Sequence, residues 1–421
     1  MNSKFDINFA RKIDSEDPLN FLRSEFQFPK HLGENSIYFT GHSLGLQHNN
    51  YKFYLEQEFK DWRDLGVDGH FDAKTPWLNY HKSLANLSAL IVGAKQNEVV
   101  TMNGLTVNLH LLLTSFYQPN GKKNKILCEP HLFPSDLYVL RSQIELRGHN
   151  PDECLIFLPS DSNGVVKDED IYKTLDVYKD ELALVFLGAV NYYTGQVFDV
   201  KKITEIAHTN HIMAGFDLAH AAGNIELKLH DWNVDFAAFC SYKYLNSGPG
   251  NVSTIFIHSK QIDKAPFRLS GWWGHNEKTR FSLQKKFNAI NSAEGWQLSN
   301  APVFGMSVYR ASLEVFNKVG MSSLFEKRIK LNKYLEGAIH YFNEQSKQIK
   351  LKIITPGDEA ERGAQLSLLI SHDAKKVFNK LRENGVFIDW RPPNIMRLSA
   401  VPLYNNHEDI AKFIQVLIKC T

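Results

Sequence analysis

The chain has 421 residues, 43% hydrophobic and 22% charged, with a formal net charge of +2. That supplies a large core and two or three domains at about 150 residues each, and no Lys/Arg stripe of the kind a nucleic-acid binder carries. No run of about 18 apolar residues marks a membrane span, no apolar h-region follows the N-terminus, and Cys128, Cys154, Cys240 and Cys420 form neither a Cys-x-x-Cys pair nor a disulfide framework. The expectation is a cytoplasmic protein with reduced thiols, no metal site, and neither membrane nor nucleic acid as partner.

In chain order, Val99-Val100 reads as a short strand, Gly104 as a turn, and Leu105-Thr106 as the opening of an apolar helix. Ile126–Cys128 is a second strand. A helix is predicted from Pro134-Ser135 through Leu137, Leu140 and Ile144, with proline and serine as start signals. Leu182–Leu187, Ile212–Phe216 and Phe236–Phe239 are continuous apolar runs, as strands buried on both faces should be. Val200–His208 places Val200, Ile203, Ile206 and Ala207 on one helix face between two of them. Strand and helix alternate, which predicts an α/β domain with a mainly parallel sheet.

Beyond Pro302 the pattern changes. Long helical stretches run to about residue 345, broken near Gly320. Strands are predicted at Leu351–Ile354, Gln365–Ile370, Val386–Ile388 and Met396–Leu398, with a helix through Ala374, Val377 and Leu381 that ends at Gly385, and a last helix from Ile410 to Ile418. This is a smaller α+β domain.

Ligands gather at the carboxyl ends of such sheets. Asp217 stands there, directly after Gly215-Phe216, with His220 three residues on. Lys243 follows the next strand, in Cys240-Ser-Tyr-Lys-Tyr-Leu-Asn-Ser-Gly-Pro-Gly-Asn251. A lysine amine and a carboxylate on neighbouring strand ends are what pyridoxal 5'-phosphate needs: the amine bonds its aldehyde and the acid pairs with its protonated ring nitrogen. Each residue alone has a plainer reading, Asp217 as a helix cap or ion pair and Lys243 as a surface charge. The helix opening at Leu105-Thr106 is a candidate phosphate site, though a plain cap reads the same way. Phe133 is a candidate to stack on the ring, or core packing.

At these residues the sequence resembles the kynureninase family. The blocks are YFTGHSLGLQ, NGLTVNLHLL, FPSDLYVLRSQIELRG, NYYTGQVFDV, GFDLAHAAGNIELKLHDWNVDFAAFCSYKYLNSGPG, GWWGH, TRF, QLSNAP and RLSAVPLYN, in order from about residue 38 to 405. The resemblance implies fold type I of the pyridoxal-phosphate enzymes, a homodimer, and an N-terminal segment, 1–48, that joins a small domain, 305–421, with the cofactor-binding large domain at 49–304. It implies hydrolysis of the Cβ–Cγ bond of L-kynurenine, and of L-3-hydroxykynurenine, to an anthranilate and L-alanine. By motif, Lys243 bonds the cofactor and Asp217 pairs with its ring nitrogen. Leu105 and Thr106 meet the phosphate, Phe133 stacks, and Ser135, Asp136, His220 and Tyr242 line the cofactor. Trp272 and Asn300 reach cofactor or substrate from the partner subunit. Arg397 grips the substrate α-carboxylate, and Ser43, His70 and Asn300 lie near its aromatic end. Lys243 is the expected acid–base group, with Tyr242 as a candidate relay. One departure is Gly188, where the family usually has Ser or Thr. The alternative reading within the same fold is a cysteine desulfurase or selenocysteine lyase.

Overall fold

A computed structural model describes residues 3–421. The chain forms two compact units. One holds residues 50–192 and 198–318; the other holds the residues up to Asn49, Tyr193–Val197, and Val319–Thr421. The second border therefore falls at the end of the helix Val303–Val319, not at 304–305 as expected, because that helix is continuous. The short stretch Tyr193–Val197 also leaves the large unit, tied by the Thr355 hydroxyl to the Thr194 carbonyl and by Ser367 Oγ to Tyr193 O at 2.7 Å.

The large unit is built on seven strands: β1 (Val99–Met102), β2 (Lys125–Cys128), β3 (Leu155–Phe157), β4 (Leu182–Gly188), β5 (Met213–Asp217), β6 (Phe236–Cys240) and β7 (Ser253–Ile257), in the spatial order β1-β7-β6-β5-β4-β2-β3. All run parallel except β7, which is antiparallel to both β6 and β1. The sequence reading names neither β3 nor β7. β7 begins Ser253-Thr254, which breaks the apolar run; both residues are buried, and the Thr254 hydroxyl lies 2.9 Å from that of Thr101 on β1, a hydrogen bond across the sheet.

Because the other six strands point the same way, residues 103, 129, 188, 217 and 241 leave the sheet along one edge. Gly215 lies opposite Phe236, and a Cβ there would meet the phenyl ring at 2.1 Å. That close approach lets β5 and β6 pair through Asp217↔Ala238 and holds Asp217 at its strand end.

At the opposite edge, Glu98, His230 and His258 cluster. Buried Glu98 accepts from the Lys95 and Ser259 amides and from His230 Nδ1. The two imidazoles stack 4.8 Å apart at 16°, so their in-plane lone pairs run in nearly parallel planes and do not converge on one ion. This is a capping network that ties β1 to the end of β7.

The C-terminal unit carries a four-stranded antiparallel sheet: β8 (Leu351–Ile353), β9 (Gln365–Ile370), β10 (Asp389–Arg391) and β11 (Ile395–Ser399), ordered β8-β9-β11-β10. Alternation sends Leu366, Leu368, Ile370, Met396 and Leu398 to a core closed by residues of the helices Met321–Gln345, Ala374–Glu383 and His407–Cys420. Gln365, Ser367, Arg397 and Ser399 go to the other face, yet all four are buried. The strand expected at Val386–Ile388 is two shorter ones: Val386–Phe387 pairs in parallel with Ile37–Tyr38, and Asp389–Arg391 turns onto β11. The N-terminal segment thus joins this unit.

Candidate active site

The strand edge of the large unit concentrates acid. Asp217 ends β5, Glu129 follows β2, and Asp136 sits in the first turn of the helix Pro134–Leu146; all three are buried. Asp217 Oδ1 accepts the Ala219 amide at 2.6 Å, and Ser135 Oγ donates to Asp136 Oδ1 at 3.2 Å. Burial, then the charge of Asp217, holds the Asp136 carboxyl well above the usual range. Both causes favour the protonated form of Asp136 beside Asp217. Burial also raises Asp217, while Lys243 and the Ala219 amide pull it back. Glu129 is pushed up to about 8, by burial first and by the charge of Asp217 as well.

Lys243 is the cation facing this group. Its Nζ lies 5.7 Å from the centre of the Phe133 ring. Phe133 is 39% exposed and is braced edge-on by Tyr192 at 5.2 Å. An aromatic left half in the open beside a lysine is poorly explained as core packing. His220 is buried, 6.4 Å from the rings of both Tyr192 and Tyr244. Tyr242 hydrogen-bonds Cys240, and burial raises its hydroxyl, so it remains an O–H donor at neutral pH.

Gly188 is the direct strand neighbour of Asp217. A Cβ there would stand 3.1 Å from Glu129 Oε1. Glu129 thus fills the space in front of Gly188. The sequence reading missed Glu129, although a carboxylate one residue past a strand end, in Cys128-Glu-Pro130, is the same signal that identifies Asp217.

At the end of β1, the helix Leu105–Phe116 starts with Gly104 as N-cap and no side-chain cap. A Cβ at Gly104 would meet nothing within 4 Å. The first amides, at Leu105 and Thr106, therefore face open space, and Thr106 is exposed.

These residues fit pyridoxal phosphate. Asp217 is a buried carboxyl at a strand end beside Asp136 and Glu129, and a protonated pyridine nitrogen would give it a cationic partner there. The uncapped helix start supplies phosphate donors and Phe133 an exposed ring. Lys243, Asp217, Asp136, Ser135, Phe133, Gly188, His220 and Tyr242 are brought to one strand edge, with Leu105 and Thr106 on it.

Of the other expected residues, Trp272, Asn300 and His70 belong to the large unit. Trp272 is 48% exposed, donates Nε1–H to Arg280 O at 2.9 Å, and packs edge-on against Phe281. Asn300 is exposed, and His70 Nδ1 lies 2.9 Å from Val67 O. Ser43, exposed, and Arg397, buried, belong to the C-terminal unit.

The raised Glu129 carboxyl gives a pH signature. Its folded value, about 8, exceeds the ordinary 4.5. Between these values the unfolded chain has lost a proton that the folded chain keeps, so stability falls as pH rises through the window. We expect urea denaturation of the cofactor-free protein to show such a slope, and Glu129→Gln to reduce it by about one proton. An unchanged slope in the variant would place the titration elsewhere.

Among solved structures, the apo cysteine desulfurase of Thermococcus onnurineus NA1 matches with a TM-score of 0.78 at 18% identity, covering 95% of this chain and 97% of that one. A mutant of the cystine C–S lyase C-DES, with glycine covalently linked to its PLP cofactor, matches at 0.77 and 14% identity, covering 91% and 96%. Identities this low speak for the fold. Fold and site together define the class: an α/β enzyme that presents a lysine amine over a buried acid cluster at the ends of parallel strands. In sequence, a protein named kynureninase from Flavobacterium psychrophilum is 47% identical over 417 residues, 98% of this chain and 97% of the relative. A family model described as the kynureninase C-terminal domain matches residues 324–417. This chain belongs to the kynureninase family.

Proposed function

We propose that this chain, with pyridoxal 5'-phosphate bound at Lys243, hydrolyses the Cβ–Cγ bond of L-kynurenine and L-3-hydroxykynurenine to the corresponding anthranilate and L-alanine. The observation that carries the reading is the strand-edge group of Lys243 with Asp217, Asp136 and Glu129, in a chain of this family. The bound cofactor supplies an electron-accepting ring conjugated to the substrate Cα. Asp217 would pair with the protonated ring nitrogen, and Asp136, whose protonated form is favoured by burial and by Asp217, would hold Asp217 in place. Leu105, Thr106 and Tyr242 would hold the phosphate, and Phe133 would stack on the ring. With the cofactor bound, Lys243 Nζ would be the group that takes and returns the Cα proton, and Tyr242 O–H would be the second donor within the same loop. Arg397 receives the α-carboxylate through its planar fork. Ser43, His70 and Asn300 meet the aromatic end of the substrate.

The desulfurase alternative needs an accessible, acidic thiol. All four cysteines are buried, and burial raises each thiol. Incubation with either kynurenine, with the anthranilate followed by fluorescence and both products identified by mass, tests the activity. Sulfide from cysteine with no anthranilate would reverse the choice.

The working form is a homodimer in the cytoplasm. No helix among the described residues is long and apolar enough to cross a membrane. Supporting the dimer, Phe59, Trp62 and Phe304 form an aromatic patch that is exposed in the single chain, with ring centres 5.0 and 5.9 Å apart, and Trp272 and Phe281 form a second. Sedimentation at micromolar concentration is expected to give twice the chain mass; a monomer that is fully active would remove both the dimer and the partner-subunit role of Trp272 and Asn300.

A further inference from the structure

Glu129 is the buried acid of the strand edge for which the cofactor chemistry has no direct use. Its place follows from the sheet. β4 lies between β2 and β5, and Gly188, the last residue of β4, is the registered neighbour of Asp217. Registered neighbours on adjacent strands point to the same face, about 4.8 Å apart, so a side chain at 188 would stand beside that of Asp217. The Glu129 carboxyl reaches that place from the end of β2: Oε1 lies 3.1 Å from where a Gly188 Cβ would be. The Gly188 amide and the Asn191 side chain hydrogen-bond the carboxyl, while Oε2 is buried and has no hydrogen-bond partner among the described residues. The titratable groups around it are Asp217 on β5, Asp136 on the helix Pro134–Leu146 and the Cys128 thiol on β2; Lys243 acts on Asp217 and Asp136. Burial, and then the charge of Asp217, favour the protonated form of Glu129 and push the carboxyl up to about 8. A cation paired with Asp217 offsets the second of these causes.

We propose that Glu129 is a positioning residue for the cofactor ring: it holds a proton in the cofactor-free protein and releases it to solvent when a cationic ring pairs with Asp217. The ionised carboxyl then adds a second negative charge beside Asp217 and strengthens the hold on the ring. This rests on the reading of Asp217 as the partner of the ring nitrogen. Gly188 is part of the arrangement, because a side chain there would push the Glu129 carboxyl away from Asp217.

A proton released on binding makes affinity rise with pH, in the window below the value of about 8 that Glu129 has in the cofactor-free protein. The test measures binding of pyridoxal 5'-phosphate to cofactor-free wild type and Glu129→Gln by visible absorbance. The amide keeps the shape of the carboxyl and cannot titrate. Ionisations of the cofactor itself are common to both proteins and cancel in the ratio of dissociation constants. That ratio, variant over wild type, should grow at least about threefold from about pH 6 to about pH 8. A carboxyl that only caps the end of β4 would change affinity by a factor independent of pH, so a constant ratio overturns the proposal, as does a falling one. Should Glu129→Gln fail to fold, infrared difference spectra of the wild type carry the test. Adding the cofactor at neutral pH should remove the carbonyl stretch of a protonated carboxyl, and isotope labelling of glutamate alone should shift the lost band. Asp136 and Asp217 cannot produce that shift, and the loss of no glutamate band overturns the proposal. The two levels separate. If borohydride finds no cofactor on Lys243, the reading of the site fails; if the adduct forms while the ratio stays constant, only the role of Glu129 is lost.

Discussion

Lys243→Ala should lower the turnover of kynurenine by at least about 10³-fold while the protein stays folded. A positioned acid–base group contributes about 10²–10⁴ in rate, and this amine is also the attachment point for the cofactor. The amine faces the Phe133 ring and the acid group. Removing it takes the cation away from buried Asp217, so thermal unfolding of the cofactor-free variant should come at a lower temperature than in the parent, with the fold retained. Two controls sharpen the result. A small primary amine added to Lys243→Ala should restore part of the rate with a pH dependence set by that amine. Lys243→Arg should gain nothing from it, because a guanidinium does not give up its proton. Stopped-flow or steady-state anthranilate fluorescence reads all three.

Asp217→Asn is expected to produce the second large loss. In the wild type the carboxylate is buried at a strand end, bonded to the Ala219 amide, and hydrogen-bonded to Asp136. Its replacement by an amide leaves a protonated ring nitrogen facing no charge. Breaking one partner of a buried ion pair costs about 3–5 kcal/mol, which at about 1.36 kcal/mol per decade is roughly 10²–10⁴ in rate. The cofactor should also dissociate more readily, measurable by dialysis and absorbance. Asp136→Asn provides the contrast. Burial and the charge of Asp217 favour the protonated form of Asp136, so a neutral amide of the same shape keeps a donor and should cost less than about tenfold. Equal losses in the two variants would mean that Asp136 is ionised as well, and that the charge in the group is shared differently.

The parts of this molecule legible in the sequence are those with an unbroken physical signal. The strands Leu182–Gly188 and Phe236–Cys240 are continuous apolar runs because helices or other strands cover them on every side, and the helix Pro134–Leu146 begins where proline and serine say it should. Asp217 and Lys243 could be picked out because a charged side chain just past such a run has few other reasons to be there. What escaped notice is what depends on neighbours distant in the chain. β7 is polar at its start because Thr254 bonds Thr101 across the sheet. Glu129 became visible only beside Gly188, where strand pairing brings residues 129, 188 and 217 together. The salt bridge between Asp389 and Arg397 arises from antiparallel register, which no local pattern shows. The border at residue 318 was missed because a helix that leaves one unit looks the same as one that stays in it.

The claim everything else depends on is a covalent bond between Lys243 and the aldehyde of the cofactor. Reduction of the purified holoenzyme with borohydride, followed by proteolysis and mass mapping, tests it most directly. The expected result is a single pyridoxyl-phosphate adduct on the peptide Tyr242-Lys243-Tyr244, absent from Lys243→Ala. An adduct on another lysine, or none in a preparation that turns over kynurenine, would contradict it.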